Sequence, residues 1–281
     1  MTLKREHLLR ELELLPVWQQ REMPKNPVPE AAASVVDIPV ESAPAIAAMP
    51  EAEPETEVLP VAGHVQTDNG LPPLSATLGQ GRREAIMQMD WQSLHECVAH
   101  CEACNLSKTR TQTVFGVGDP NAEWLFVGEA PGAEEDRQGE PFVGQAGKLL
   151  DNMLKAIQLK RGQNVYIANV LKCRPPENRD PQGEEVMQCD PFLKRQVELI
   201  KPKLIVALGK FAAQSLLNSQ STIAALRGKL HDYHGVPVIV TYHPAYLLRN
   251  LPDKAKAWED LCYARSTMQG LQSAAQPPST E

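Results

Sequence analysis

Residues 124–150 read WLFVGEAPGAEEDRQGEPFVGQAGKLL. Trp124 to Val127 is a short continuous apolar run of the kind a strand shows when both its faces are covered. A loop punctuated by Gly and Pro follows, with Glu129, Glu134, Glu135 and Asp136 inside eight positions. From about Gln145 the apolar positions Leu149, Leu150, Met153, Leu154 and Ile157 fall on one helical face. In an open α/β sheet, ligands bind where the carboxyl ends of strands meet such loops. Carboxylates alone would describe a solvated acidic loop. Two features point further: Glu129 leaves the strand directly, so rigid backbone places it, and Phe142 is a large aromatic in a loop of glycine and proline.

The same alternation continues downstream. VYIANVLKC (165–173), KLIVALG (203–209) and VPVIVTYHP (236–244) read as strands. Residues 184–200, 210–217 and 253–269 read as helices, while RPPENRDPQG and HPAYLLRN read as loops. Near-continuous apolar strands alternating with helices make a parallel sheet covered on both faces.

Upstream the character changes. Residues 4–18 carry Leu8, Leu12 and Leu15 on one helical stripe. A helix of that length is marginal alone, so it docks on the main domain or binds a partner. Residues 23–88 are rich in Pro, Ala, Val and Glu with no sustained period, the composition of an extended, disordered linker. The expected organisation is a short amphipathic helix at 1–22, a linker at 23–88, one globular domain at 89–270 and a disordered tail at 271–281. Between Pro24 and Pro73 there are eight acids against one lysine, which accounts for the whole formal charge of −7 and leaves the remainder neutral. The acidic balance therefore does not exclude a nucleic-acid partner for the domain. No apolar run approaches the ~20 residues that span a bilayer, and the N-terminus has no signal-peptide pattern. The expected location is the cytoplasm, and the expected state a monomer.

Six cysteines without a secretory signal suit metal binding better than disulfides. Cys101 and Cys104 form a CxxC, Cys173 ends the second strand, and Cys189 follows 16 positions later. Four thiolates from three separate places suit a [4Fe–4S] cluster as well as a zinc site, and spacing alone does not decide between them. Cys97 and Cys262 read as structural.

Three motifs in order, GEAPGAEEDRQGEPFVGQAGKLL, VLKCRPPENRDP and HPAYLLRN, closely resemble those of family 4 uracil-DNA glycosylases, iron–sulfur members of the uracil-DNA glycosylase superfamily. The resemblance covers about residues 101–265. It implies a three-layer α/β/α fold with a four-stranded parallel sheet, a uracil pocket at the strand ends, and a [4Fe–4S] cluster on Cys101, Cys104, Cys173 and Cys189. It also implies that Glu129 and Ala130 line the pocket, Phe142 stacks on the flipped uracil, Asn169 reads the pyrimidine edge and His243 meets uracil O2. The family usually reads RNP after the leucines, whereas this chain reads RNLP, a departure at the tip of the loop that wedges into the duplex. A sister group that becomes covalently attached to DNA carries a basic, histidine-containing insertion that RPPENRDP lacks.

The chemistry agrees with those assignments. A base in a duplex has to be extruded before its edge can be read. The Asn169 amide offers one donor and one acceptor, matching uracil O4 and N3–H, while cytosine presents the opposite pattern. His243 can donate to O2 of the departing base anion. Glu129 can orient water and steady the cationic sugar, with Glu135 and Asp136 near enough in sequence to share that role. Arg174, Arg179, Arg249 and Lys172 are the expected phosphate contacts. Two rival readings are a non-catalytic iron–sulfur or zinc nucleic-acid-binding module, and a related glycosylase for another deaminated base.

Overall fold

The computed structural model describes residues 74–274, with side chains from residue 81. The expected helix at 1–22, the linker as far as residue 73 and the tail from 275 lie outside the described residues.

Among the described residues, six strands form one sheet: β1 (Val117–Gly118), β2 (Trp124–Gly128), β3 (Val165–Asn169), β4 (Leu204–Leu208), β5 (Leu230–Tyr233) and β6 (Val236–Thr241), in the spatial order β1-β3-β2-β4-β6-β5. The four expected strands are parallel to one another and central. The expected four-stranded sheet is thus corrected to six strands, with β1 and β5 antiparallel at the edges. Both additions are hard to see in sequence. The β1 strand is two residues long, and β5 is an exposed edge whose hairpin to β6 turns on His234 and Gly235, both at positive φ.

Residues of β2 alternate between the two faces. Phe126 packs with Leu150, Met153 and Leu154 of α4 (Gln145–Ala156) and Leu261 of α9 (Lys254–Ala274). Leu125 and Val127 pack with Leu193 and Val197 of α5 (Gly183–Ile200) and Ala212 and Ala213 of α6 (Lys210–Leu217). A third cluster joins Leu171, Cys173, Cys189 and Phe192 to Leu94 and Val98 of α2 (Trp91–Ala99), whose start is capped by Asp90 accepting from the Ser93 N–H at 2.8 Å.

Several expectations shift. The linker does not run to residue 88: Leu74–Met87 is a helix, α1. Charge fastens it, since Arg82 donates to the Gln188 carbonyl at 3.0 Å and Arg83 pairs with Asp190 at 3.1 Å. Ile86 is its buried apolar anchor among the described side chains, so there is little hydrophobic period to read. The acidic loop contains a helical turn and a half, α3 (Ala133–Gln138). After a short helix, α7 (Ile223–Leu226), HPAYLLRN also carries a helix, α8 (Pro244–Arg249), with proline at its first position. At the other end, α9 continues to Ala274, past the boundary expected at 270.

Register positions the site. Gly128 is level with Asn169, and Leu208 with Thr241, so Glu129, Asn169, Gly209 and His243 come to one end of the sheet. The chain winds from β2 to β3 on one side and then crosses to β4 on the other, and the crevice at such a reversal is where open α/β sheets bind ligands.

Candidate active site

A cleft of about 700 Å³ opens at those strand ends, lined by Glu129, Ala130, Phe142, Asn169 and His243 among others. It unites the principal residues expected from sequence. The β2–β3 ladder continues one step beyond the strands, with Val170 N–H donating to the Gly128 carbonyl and Leu171 N–H to that of Glu129, each at 3.0 Å. Glu129 and Asn169 are therefore held side by side by main-chain bonds.

Asn169 is 2 % exposed, and its Oδ1 has no hydrogen-bond partner among the described residues. An unsatisfied buried amide oxygen is costly, and in a cleft its donor comes from water or from a bound ligand. Gly128 makes room for it, because a Cβ there would strike both Asn169 Oδ1 and the Phe142 ring. Phe142 is 6 % exposed at φ 56, a left-handed conformation that an aromatic residue adopts only when its surroundings impose it. Three groups impose it. Arg161 donates to the carbonyls of Pro141 and Phe142, both at 2.8 Å. Glu135 Oε1 accepts from Val143 N–H at 3.0 Å and Gly144 N–H at 3.1 Å. Gly147 lets the Phe142 carbonyl rest directly on α4, where any Cβ would collide with it.

His243 precedes α8 and caps it: its Nδ1 accepts from the Ala245 N–H at 3.1 Å. With Nδ1 an acceptor, the proton of the neutral ring sits on Nε2. Burial lowers its pKa to about 4, helped by the nearby Arg249 and opposed by Glu135, so the ring is neutral at pH 7. Its ring centre lies 5.5 Å from that of Phe142. Burial, with the charge of Asp180 added, raises Glu129 to about 7. A carboxyl shifted toward neutrality in a cleft is a candidate functional group.

The other expected site residues lie differently. Glu135 reaches the cleft, but its carboxylate is engaged in bracing the Phe142 loop. Asp136 is buried, with both oxygens accepting from the Thr111 N–H at 2.9 and 3.0 Å, and does not line the cleft. Arg249 is on the rim. Arg179 is also there, but it is paired with the buried Glu185, 3.0 Å from Oε2. Arg174 donates to Asn178 Oδ1 at 2.8 Å. Lys172 is 1 % exposed and cannot touch phosphate, which corrects its assignment as a DNA contact.

The four cysteines share one patch. Cys101 and Cys104 follow α2, Cys173 leaves β3, and Cys189 sits on α5. Their sulfurs are surrounded by donors: Arg110 at 3.2 Å from Cys173 Sγ, the Lys172 N–H at 3.3 Å from Cys189 Sγ, and Arg82 at 3.6 Å from Cys101 Sγ. Burial raises the thiols of Cys104 and Cys173, and that of Cys189 to about 12. Among the described residues, no three His, Cys, Asp or Glu side chains close on one point as ligands of a single ion would. A donor set of four cysteines with N–H groups aimed at three of them fits a group that carries anionic thiolates. Cys97 lies against the same patch, whereas Cys262, expected to be structural, is exposed.

Some contributors escaped the sequence. Arg161 clamps the Phe142 loop from 19 positions away, and no local pattern announces it. Asp180 faces Glu129, signalled only by its place in the RPPENRDP motif. Tyr242 and Tyr246 stack at 5.2 Å on the cleft wall, inside the YHPAY segment.

Residues 115–262 match the family model described as "Uracil DNA glycosylase superfamily". The chain is 52 % identical over 159 residues to a type-4 uracil-DNA glycosylase of Archaeoglobus fulgidus, covering 54 % of this chain and 79 % of that one. With the type-4 enzyme of Thermotoga maritima it is 43 % identical over 188 residues, 66 % of this chain and 95 % of the relative. A type-5 uracil-DNA glycosylase of Pyrobaculum aerophilum is more distant, 35 % identical over 148 residues. This chain therefore belongs to the uracil DNA glycosylase superfamily and, within it, to the type-4 uracil-DNA glycosylases.

Proposed function

We infer that this chain is a monofunctional hydrolase that extrudes uracil from DNA and breaks its N-glycosidic bond, releasing uracil and leaving an abasic site. The observation that carries this reading is the unpartnered Oδ1 of Asn169, buried beside the Phe142 ring. Uracil stacked on Phe142 gives that oxygen its N3–H, and the amide N–H group meets O4. As the bond breaks, negative charge gathers on the base, and the Nε2 proton of His243 is donated toward O2. Positive charge gathers on the sugar, where an ionised Glu129 steadies it and orients the attacking water. Glu135 serves indirectly, by fixing the loop that carries Phe142. Arg249 on the rim, with Arg174 and Arg179 in the neighbouring loop, meets phosphates and positions the strand without reading sequence.

Cys101, Cys104, Cys173 and Cys189 would hold the [4Fe–4S] cluster. In such a cluster each cysteine binds a different iron, so four thiolates need not converge on one point. Bound there, the group would cross-link the end of α2, the exit of β3 and α5. Location in the cytoplasm and action as a monomer complete the reading; no described helix is long and apolar enough to cross a membrane. The test is incubation with an oligonucleotide carrying one uracil, followed by alkali: cleavage at the uracil is expected, and an intact strand would refute the assignment.

A further inference from the structure

Lys172 lies three residues beyond Asn169, where the chain passes from β3 to Cys173. Its ammonium donates to the main-chain carbonyl of Asn169 at 2.8 Å and to Oε1 of Gln196 at 2.7 Å. Gln196 is fully buried on α5, and its Nε2 donates to the Phe115 carbonyl at 2.9 Å. The Lys172 main chain is held as well: its N–H donates to Cys189 Sγ at 3.3 Å, and its carbonyl accepts from Val114 N–H at 2.8 Å. One residue therefore touches the amino acid expected to read uracil and a cysteine of the thiol patch.

Burying an ammonium on a long side chain is expensive in both desolvation and rotamer freedom. A methionine would fill a similar volume at a similar rotamer cost but without the desolvation cost, and replacing a buried charge by an apolar side chain of like size is often neutral or stabilising. Core packing therefore gives no reason for a lysine here, whereas a directional grip on the Asn169 carbonyl does. Asn169 is the last residue of β3, and on the β2 side its peptide is held by the Val170 N–H bond to Gly128. Strand β1 pairs β3 only at Tyr166 and Ile167, so on that side the Asn169 carbonyl is anchored by the Lys172 ammonium, which helps the amide present one fixed orientation.

We propose that Lys172 is a positioning residue for base recognition, which holds the Asn169 peptide and ties its orientation to the cysteine patch. The inference rests on the reading of Asn169 as the uracil-recognising amide. It assigns the patch a second task beyond cross-linking: keeping the base-reading strand end in register.

The experiment uses full-length chain with its metal group, comparing Lys172→Met and Gln196→Met with the parent. Four quantities are measured: iron per chain, amide hydrogen exchange of residues 169–172, single-turnover uracil excision at saturating enzyme, and inhibition by free uracil. Lys172→Met should retain iron and parental affinity for uracil-free duplex. Exchange at 169–172 should quicken, and excision and inhibition by free uracil should both weaken, roughly 10–100-fold, as when a group orienting a site residue is lost. Gln196→Met should move the same quantities less, since the ammonium keeps one of its two acceptors. Parental excision per iron with parental uracil inhibition in Lys172→Met, whatever its melting temperature, overturns the proposal. If that variant does not fold, parental exchange, rate and inhibition in Gln196→Met overturn it instead. Should the parent excise no uracil while exchange at 169–172 still responds, the uracil reading falls and the positioning of Asn169 stands.

Discussion

The base pocket and the cysteine patch lie at the two ends of one short segment, Asn169 to Cys173, and they satisfy their polar atoms in opposite ways. In the patch, donors converge on three of the four sulfurs. In the pocket, Asn169 Oδ1 is left without a partner among the described residues, and His243 spends one ring nitrogen on its own helix while keeping its proton on the other. A site that holds a resident group can be saturated, because its occupant is always present. A site that turns over has to keep its key atoms unsatisfied until substrate arrives, and rigid surroundings prevent collapse onto them. Here that rigidity comes from Arg161, Glu135 and Gly147 around Phe142 and from the extended β2–β3 ladder.

The largest expected effect comes from breaking the saturated site. Cys173→Ala removes a buried thiol from a patch that includes Leu171 and Phe192, so iron should be lost and the melting temperature should fall further than for any pocket substitution. Iron analysis and calorimetry check this; a variant that keeps iron and its melting temperature would show that Cys173 is no ligand. In the unsaturated site the expected cost is catalytic. His243→Ala should lower single-turnover excision on the order of 10²–10³-fold, the usual loss for one donor to a developing anion, with DNA affinity little changed. Excision at the parental rate would remove His243 from the mechanism.

A smaller effect tests specificity. Asn169→Asp removes the donor to O4, so uracil excision should fall while cytosine gains relative to uracil. Competition between uracil- and cytosine-containing oligonucleotides measures the ratio, and an unchanged ratio would mean that another group reads the edge. The pH profile is subtler. Burial and Asp180 hold the Glu129 carboxyl near 7, so it is protonated and neutral below that pH and ionised above it. With ionised Glu129 acting as proposed, excision should rise with pH through about 7, falling about tenfold per unit well below it. His243, depressed to about 4, stays neutral across that window and adds no second limb. Glu129→Gln should be slow and flat with pH; a profile that keeps its shape would assign the titration elsewhere.

The central sheet was legible because parallel strands buried on both faces are written as apolar runs, as in Trp124–Val127 and Leu204–Leu208. The edge strands were not, since a two-residue ladder and an exposed hairpin arm leave no period. In the site, the resemblance supplied Asn169, Phe142 and His243, and the structure gathers them. Periodicity could not separate Glu129 from Glu135 and Asp136, because which carboxylate is free depends on distant amides: Val143 and Gly144 for one, Thr111 for the other. Lys172 misled for the same reason. A lysine beside arginines in a loop reads as a phosphate contact, and only its burial against Gln196 shows otherwise.

The smallest effect concerns where the domain begins, and it separates the two sites again. Every cleft residue lies at or beyond Glu129, and residues 23–73 have the composition of a linker, so removing residues 1–73 should leave kcat/KM on a uracil oligonucleotide unchanged. Removing residues 1–88 is a different operation. It takes away Arg82, which stands 3.6 Å from Cys101 Sγ and 5.0 Å over the Phe192 ring, together with the buried Ile86. That longer deletion should leave the pocket chemistry intact in freshly prepared enzyme but quicken bleaching of the thiolate–iron absorbance in air, since the patch loses both a cationic donor and its apolar cover. Equal bleaching rates for the two truncations would show that α1 does not guard the cysteines. A tenfold loss of activity already at residue 73 would place part of the enzyme in the acidic N-terminal segment.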